Sequence, residues 1–433
     1  MRANPNRRGV LKTTATLAAA AAGSTLGQHV RAAAAALSGT GKLAAIDAAL
    51  RSTTAAGDLP GIVAMAANDG GVFYEGAFGS RRLGGGPDMT RDTVFSVASM
   101  VKPITSVAAL RLVEQNKLSL ETPVPDIDPA IGSPQVLSGF DPAGGPRLRP
   151  AKRPITLHHL LTHTAGFAYR LWDAEALHYF EAVEKLPAVR RKALPRTPLM
   201  FDPGERWQYG TNIDWVGRLV EAASGEPLDV HFRRNIFEPL GMKDTAFVVS
   251  KEQRTRIASV HRRRPDGSLL PDPVERENTR EPAPRSFSGG GGIHSTAGDY
   301  LTFIRALLNG GSLGGARLLR PDTVALMGRN QIGAIDAGVM KTTAPALSND
   351  VDFFPGISLK WGFGHMINMQ PVPDGRRAGS LTWAGLCNTY YWIDPTTRVA
   401  AVFMTQVLPF ADRRALRAYR AFERGIYAAV KAG

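Results

Sequence analysis

Cysteine is almost absent: Cys387 is the single one in 433 residues. One thiol excludes an internal disulfide framework and any metal site built on several cysteines. Past the leader, no apolar run is long enough to span a bilayer, so no stable membrane insertion is expected. Acidic residues are in deficit, 38 against 52 Lys plus Arg, for a formal charge of +14. The basic side chains are scattered, apart from Arg262-Arg263-Arg264 and Arg413-Arg414. That pattern reads as solvated faces and lacks the clustering of a nucleic-acid footprint, so no nucleic-acid partner is expected. There is no His-Glu-x-x-His, and His158, His159 and His163 match no strong zinc spacing. Gly289 to Gly292 is not followed by Gly-Lys-Ser/Thr, which excludes a phosphate loop. No internal repeat is present, and neither a metal nor an organic cofactor is called for.

What is there is ordinary globular composition, 44% hydrophobic and 21% charged. The chain opens with Arg7-Arg8, a mildly apolar stretch from Thr13 to Leu26, and a small-residue run from Ala32 to Ala36. A charged start, an apolar middle and a small-residue cleavage region in that order read as a bacterial twin-arginine export signal over residues 1–36. A periplasmic or secreted protein is the expectation.

The remainder alternates strand and helix patterns. Leu43 to Leu50 has helical spacing. Gly61 to Ala66 and Val72 to Phe78 read as strands joined by the turn Asn68-Asp69-Gly70-Gly71. Ser99 to Gln115 reads as a helix, and Glu121 to Pro154 as a Pro- and Gly-rich surface excursion. Thr156 to Gly241 carries several helical patterns, and Lys251 to Arg285 reads as loop. Ser295 to Leu308 is helical, stopped by Asn309-Gly310-Gly311. Ser380 to Trp392 and Val399 to Val407 read as strands around Asp394-Pro395. A last helix puts Leu416, Tyr419, Phe422, Ile426 and Val430 on one face. The order predicts an α/β (α+β) protein. An antiparallel sheet is built from both termini (residues 37–120 and 286–433) and flanked by helices. Residues 121–285 form an inserted, mostly helical domain.

The chemical signal is Ser99-Met100-Val101-Lys102. Residues three apart on a helix share a face, so the Lys102 ammonium can reach the Ser99 hydroxyl. If Ser99 opens the helix, its own N–H and the positive helix end favour a developing oxyanion. A serine hydroxyl needs a base. Lys102 is followed by Pro103 and the apolar series Ile104, Val107, Leu110 and Leu112, and an inward lysine is costly to bury without a task.

Further residues extend the pattern in order: Phe95 to Lys102, Ile155 to Phe167, Pro203-Gly204, Tyr209, Gly289 to Thr296, Trp361 to Gly364, and Trp383-Ala384-Gly385. With them the chain resembles the serine β-lactamase-related family, which includes class C β-lactamases, family VIII carboxylesterases and penicillin-binding-protein-like hydrolases. The resemblance implies that Ser99 is the nucleophile, with Lys102 and Tyr209 handling protons. It implies that the N–H of Leu386, just after Gly385, joins that of Ser99 as an oxyanion hole. The family's tyrosine is often followed two residues later by asparagine; here Asn212 comes three later, so no role is carried onto it. Trp383 stands where β-lactamases carry a lysine. An apolar face with one N–H suits neutral acyl groups better than anionic β-lactams. Tyr169, after Gly166-Phe167, is a candidate for lining the acyl pocket.

The leading expectation is a carboxylic-ester hydrolase acting through an acyl-enzyme on a small-molecule ester or amide. A β-lactamase, a D-aminopeptidase or carboxypeptidase, an amide hydrolase or an acyltransferase could use the same machinery. A non-catalytic ligand-binding relative is the alternative of another class. Oligomeric state is not legible.

Overall fold

The computed structural model describes residues 41–128, 131, 133–192, 194–272 and 286–431, together with Met1. The export segment expected over residues 1–36 lies outside them apart from Met1.

The first two strands, Gly61–Asn68 (β1) and Gly71–Gly79 (β2), form the expected hairpin, with Gly61 opposite Gly79. At its turn the Asn68 side chain accepts the Gly70 N–H at 2.9 Å. Five strands from the far end of the chain join them: Leu359–Trp361 (β3), Met366–Asn368 (β4), Leu381–Gly385 (β5), Thr389–Asp394 (β6) and Val399–Met404 (β7). Together they make one antiparallel sheet ordered β3-β4-β5-β6-β7-β1-β2. β1 lies against β7, Val63 opposite Met404, so the two ends of the chain meet in the middle of the sheet.

The principal helices are residues 41–55 (α1), Val101–Glu114 (α2), Asn212–Ser224 (α3), Ala297–Leu308 (α4) and Arg413–Val430 (α5). Successive side chains of β6 point to opposite faces. Tyr390 and Trp392 meet Tyr419 and Phe422 of α5, with ring centroids 4.6 and 5.5 Å apart. Tyr391, between them, meets Tyr300 of α4 at 5.3 Å. Both faces are covered, so all six residues of β6 are buried and the strand shows no polar alternation. The α5 stripe is as expected: Phe422 and Ile426 are buried, with Leu416 and Val430 packed at its margins. Each such buried side chain contributes about 1.5–3 kcal/mol.

The structure differs from the sequence reading in three places. Ser380 to Trp392 is two strands, because Leu386-Cys387-Asn388 turns back, with Asn388 in the left-handed region at φ 63°. Of Lys251 to Arg285, residues 273–285 lie outside the described residues, and the rest is not all loop. It holds a helical turn, Lys251–Arg254, capped by Ser250, and a hairpin of His261–Arg263 with Leu269–Pro271. His261–Arg263 also pairs in parallel with Val407–Leu408, a distant partner that no local pattern announces. Glu121 to Pro154 contains a hairpin as well, Gln135–Phe140 with Pro146–Pro150.

Asp299, in the first turn of α4, accepts from the Thr245 hydroxyl at 2.9 Å and the Asp244 N–H at 2.8 Å. Burial, the largest influence, lifts its carboxyl from 3.8 to about 6 against those hydrogen bonds. A folded-state value above the unfolded one contributes stability that is present below about 4 and lost as pH rises through about 6. Thermal unfolding of Asp299→Asn and the wild type should therefore diverge in slope between pH 4 and 7, the wild type gaining more on acidification. Parallel curves would contradict this.

Candidate active site

Ser99 sits in a single 3-10 turn, Ala98–Met100, that runs directly into α2. Ala98 is held in the left-handed region at φ 42°, a conformation that costs a residue with a side chain about 1 kcal/mol or more. Four hydrogen bonds hold the turn there. Met100 N–H donates to the Val97 carbonyl at 2.9 Å, and Val97 N–H to the Ile293 carbonyl at 3.0 Å. The Gln406 amide donates to the Ser96 carbonyl at 3.0 Å, and the Tyr300 hydroxyl of α4 to the Met100 carbonyl at 2.9 Å. Distant elements thus clamp a strained turn, and the nucleophile candidate is presented at the start of a helix.

Lys102 is fully buried. Its Nζ lies 3.0 Å from Ser99 Oγ, 2.7 Å from the Gly290 carbonyl and 3.5 Å from Tyr169 Oη. Three oxygens thus surround its Nζ. Tyr209, also buried, turns the face of its ring toward Lys102, with Nζ 4.9 Å from the ring centroid. Its hydroxyl oxygen accepts the Trp383 indole N–H at 3.2 Å. The Tyr209 ring is fixed by Trp383, Trp172 and His163, with centroids 4.7, 5.4 and 4.9 Å away. Tyr169, the candidate for the acyl pocket, lines the same cavity as Ser99 and also reaches the lysine.

Asn212 finds a place that the sequence reading did not give it. Fully buried at the start of α3, it donates to His163 Nδ1 at 3.0 Å and to the Phe167 carbonyl at 3.4 Å. Burial and the Lys102 charge hold His163 well below the usual histidine range, so it stays neutral and braces Tyr209 from behind. His159 closes a capping box, its Nδ1 accepting the Thr156 N–H at 3.2 Å. Among the described residues no group of three or more His, Cys, Asp or Glu is placed to hold a metal ion.

Gly385 ends β5 against the nucleophile turn. A Cβ there would come within 2.4 Å of the Val97 carbonyl, so only glycine allows this approach. Among the described residues neither the Ser99 N–H nor the Leu386 N–H has a hydrogen-bond acceptor, and both residues line one cavity of about 700 Å³. Trp172, Leu347, Phe410 and Trp383 give that cavity an aromatic and aliphatic wall. Arg262 and Asp272 also line it, paired at 2.6 Å so that their charges offset. The arrangement offers a hydroxyl, an adjacent amine and two free backbone donors at the floor of an apolar chamber, which suits acyl transfer.

Residues 46–425 match the model of the family described as beta-lactamase. The chain belongs to the beta-lactamase family. It is 33% identical over 422 residues to the ML-236A carboxylate methylbutanoyltransferase of Penicillium citrinum, covering 92% of this chain and 97% of that one. It is 30% identical to the lovastatin esterase of Penicillium rubens, over 84% of this chain and 93% of that one. The unliganded simvastatin synthase (LovD) of Aspergillus terreus superposes with a TM-score of 0.78 at 30% identity, over 90% of this chain and 99% of that one. The fold is therefore the β-lactamase/transpeptidase-like one that the motifs implied, and this family member is an enzyme of the serine acyl-enzyme type.

Sequence reasoning missed Asp214, Ser288 and the carbonyl of Gly290, which lie around Lys102 and Tyr169. Asp214 and Ser288 belong to no motif, and Gly290 lies in the Gly289 to Thr296 stretch without any role assigned to its carbonyl. The run of glycines from Gly289 was the one visible sign that backbone approaches something closely there.

Proposed function

We propose that this protein is an acyltransferase that moves an acyl group from an ester or thioester donor, through Ser99, to the hydroxyl of a second small molecule. Lys102 takes the Ser99 proton as the oxygen attacks the acyl carbon, and the Ser99 and Leu386 N–H groups hold the oxyanion. The leaving group departs with that proton, returned by Lys102, while Tyr209 presents its ring face to the lysine. The acceptor alcohol then enters the vacated place and gives its proton to Lys102 as its oxygen takes the acyl group, and that proton passes to Ser99 Oγ as the serine is released. Hydrolysis is the same second step with water as acceptor.

The observation that carries transfer over hydrolysis is the apolar cavity of about 700 Å³ above Ser99. It has room for an acceptor as well as an acyl chain. The relative from Penicillium citrinum, a methylbutanoyltransferase by name, supports the same order. The sequence alone put ester hydrolysis first, and the 30% identity to an esterase keeps it as the second reading.

The test supplies a p-nitrophenyl ester of a short branched acid with a panel of secondary alcohols and quantifies new ester and free acid by mass spectrometry. At least one bulky apolar alcohol should yield more ester than acid, with ping-pong kinetics. Free acid alone with every acceptor would return the assignment to an esterase. Rapid turnover of nitrocefin would contradict the reading of Trp383 as a selector for neutral acyl groups.

A further inference from the structure

Lys102 must become positive when it takes the Ser99 proton, yet it is buried and has no carboxylate within ion-pair distance among the described residues. A charge formed in such a place needs compensation from somewhere. Two hydrogen-bonded paths lead from its amine, and both end on Asp214. In the first, Nζ approaches Tyr169 Oη at 3.5 Å, and the Tyr169 hydroxyl donates to Asp214 Oδ2 at 3.2 Å. In the second, Nζ donates to the Gly290 carbonyl at 2.7 Å, the Gly290 N–H donates to Ser288 Oγ at 3.0 Å, and the Ser288 hydroxyl donates to Asp214 Oδ1. The ring is closed, and each carboxylate oxygen receives one branch.

The backbone is shaped for this approach. A Cβ on Gly290 would fall 2.4 Å from Asp214 Oδ2, so a larger residue would push the carboxylate away. A Cβ on the neighbouring Gly289 would fall 2.4 Å from the Ile213 carbonyl, so the glycine turn is pressed onto the first turn of α3, where Asp214 sits. Burial and the Asp214 charge hold the Tyr169 phenol protonated, well above its usual range. Its proton is committed to Asp214, which leaves its lone pairs facing Lys102.

We propose that Asp214 is the counter-ion of Lys102, acting through Tyr169 and through the Ser288–Gly290 backbone, and that it sets the pH at which Lys102 can accept the Ser99 proton. The inference rests on the Ser99–Lys102 reading of the site. Asp214 and Ser288 are positioning residues: they act through Tyr169 and Gly290. The titratable groups facing Lys102 are Tyr169 on the loop before residue 170, Tyr209 ahead of α3, and His163, whose imidazole feels the lysine charge, with Asp214 behind Tyr169. His163 stays neutral and Tyr169 stays protonated, so neither mimics the effect of Asp214.

The experiment measures single-turnover acylation by p-nitrophenyl butyrate across pH for the wild type, Asp214→Asn, Tyr169→Phe and the double variant. Loss of the negative charge makes the ammonium less favourable. The acid limb of the Asp214→Asn profile should move to lower pH by about one unit, while the plateau falls about tenfold because the base is weaker. Tyr169→Phe should move the limb the same way but by less, because the Ser288 path remains, and the double variant should be little worse than Asp214→Asn alone. A purely structural role would lower the plateau and leave the limb in place. If Asp214→Asn does not fold, Ser288→Ala reads the second path by the same limb. A limb that stays fixed or moves to higher pH overturns the proposal. Absence of any acyl intermediate in the wild type would instead overturn the Ser99 reading itself, so the two failures are distinct.

Discussion

Ser99→Ala should lose acyl transfer by about 10⁴-fold or more while unfolding at the temperature of the wild type. The expectation follows from what the hydroxyl does. It lies 3.0 Å from an amine, at a turn whose strain is sustained by Val97, Ile293, Gln406 and Tyr300 and not by Ser99 itself. Removing one oxygen deletes the nucleophile and leaves that clamp intact. Lys102→Met should cost nearly as much, and the double variant little more, because nucleophile and base act as one unit. The check is intact-protein mass spectrometry after exposure to a p-nitrophenyl ester, alongside steady-state rates. The wild type should carry one acyl group and both single variants none. A Ser99→Ala variant within tenfold of the wild type would end the acyl-enzyme reading.

The largest effect on stability should come from Arg376, far from the chemistry. Its guanidinium is fully buried between the β4–β5 connection and α5. It donates to Glu423 Oε1 and Oε2 at 2.7 and 3.0 Å and to the Tyr419 hydroxyl at 2.6 Å. The rings of Phe354, Trp392 and Tyr419 pack on it at 5.2, 5.0 and 5.7 Å. Removing one partner of a buried pair strands the other, at a cost of about 3–5 kcal/mol. Arg376→Ala should therefore destabilise by that order in urea unfolding. Arg376→Met combined with Glu423→Leu should recover most of the loss, because no charge is then left unpaired. An Arg376→Ala variant within about 1 kcal/mol of the wild type would show that water reaches the pair.

The legible part of the site was the part that chemistry ties to local spacing. Ser99 and Lys102 are three apart on one helical turn, and their proximity needs no knowledge of the rest of the chain. Tyr209, Trp383 and Leu386 became legible through motif order, but their mutual geometry did not. That the Trp383 indole donates to the Tyr209 hydroxyl is a contact between residues 174 apart, made by a strand edge meeting a loop. Asp214 was illegible for the same reason: an acid in the first turn of a helix is commonplace, and its two paths to Lys102 run through a tyrosine 45 residues earlier and a serine 74 residues later.

The fold divides in a similar way. The β1–β2 hairpin and the α5 stripe follow from a turn sequence and a period, and both stand where the residues put them. The run from Ser380 to Trp392 did not reveal its hairpin, since both faces of the sheet are covered and the apolar pattern continues across the turn. The pairing of His261–Arg263 with Val407–Leu408 left no local trace, because strand partners so far apart are chosen by packing.

By itself, then, the sequence determined the class of protein, the nearness of Ser99 and Lys102, and the elements whose hydrogen bonds close within a few residues. Tertiary structure alone decided which acid answers the buried lysine, which groups hold the strained turn at Ala98, and how large a chamber stands over Ser99. Those features are made by side chains and carbonyls from separate segments meeting at distances below 4 Å, and such meetings depend on how whole elements pack, which no spacing along the chain encodes.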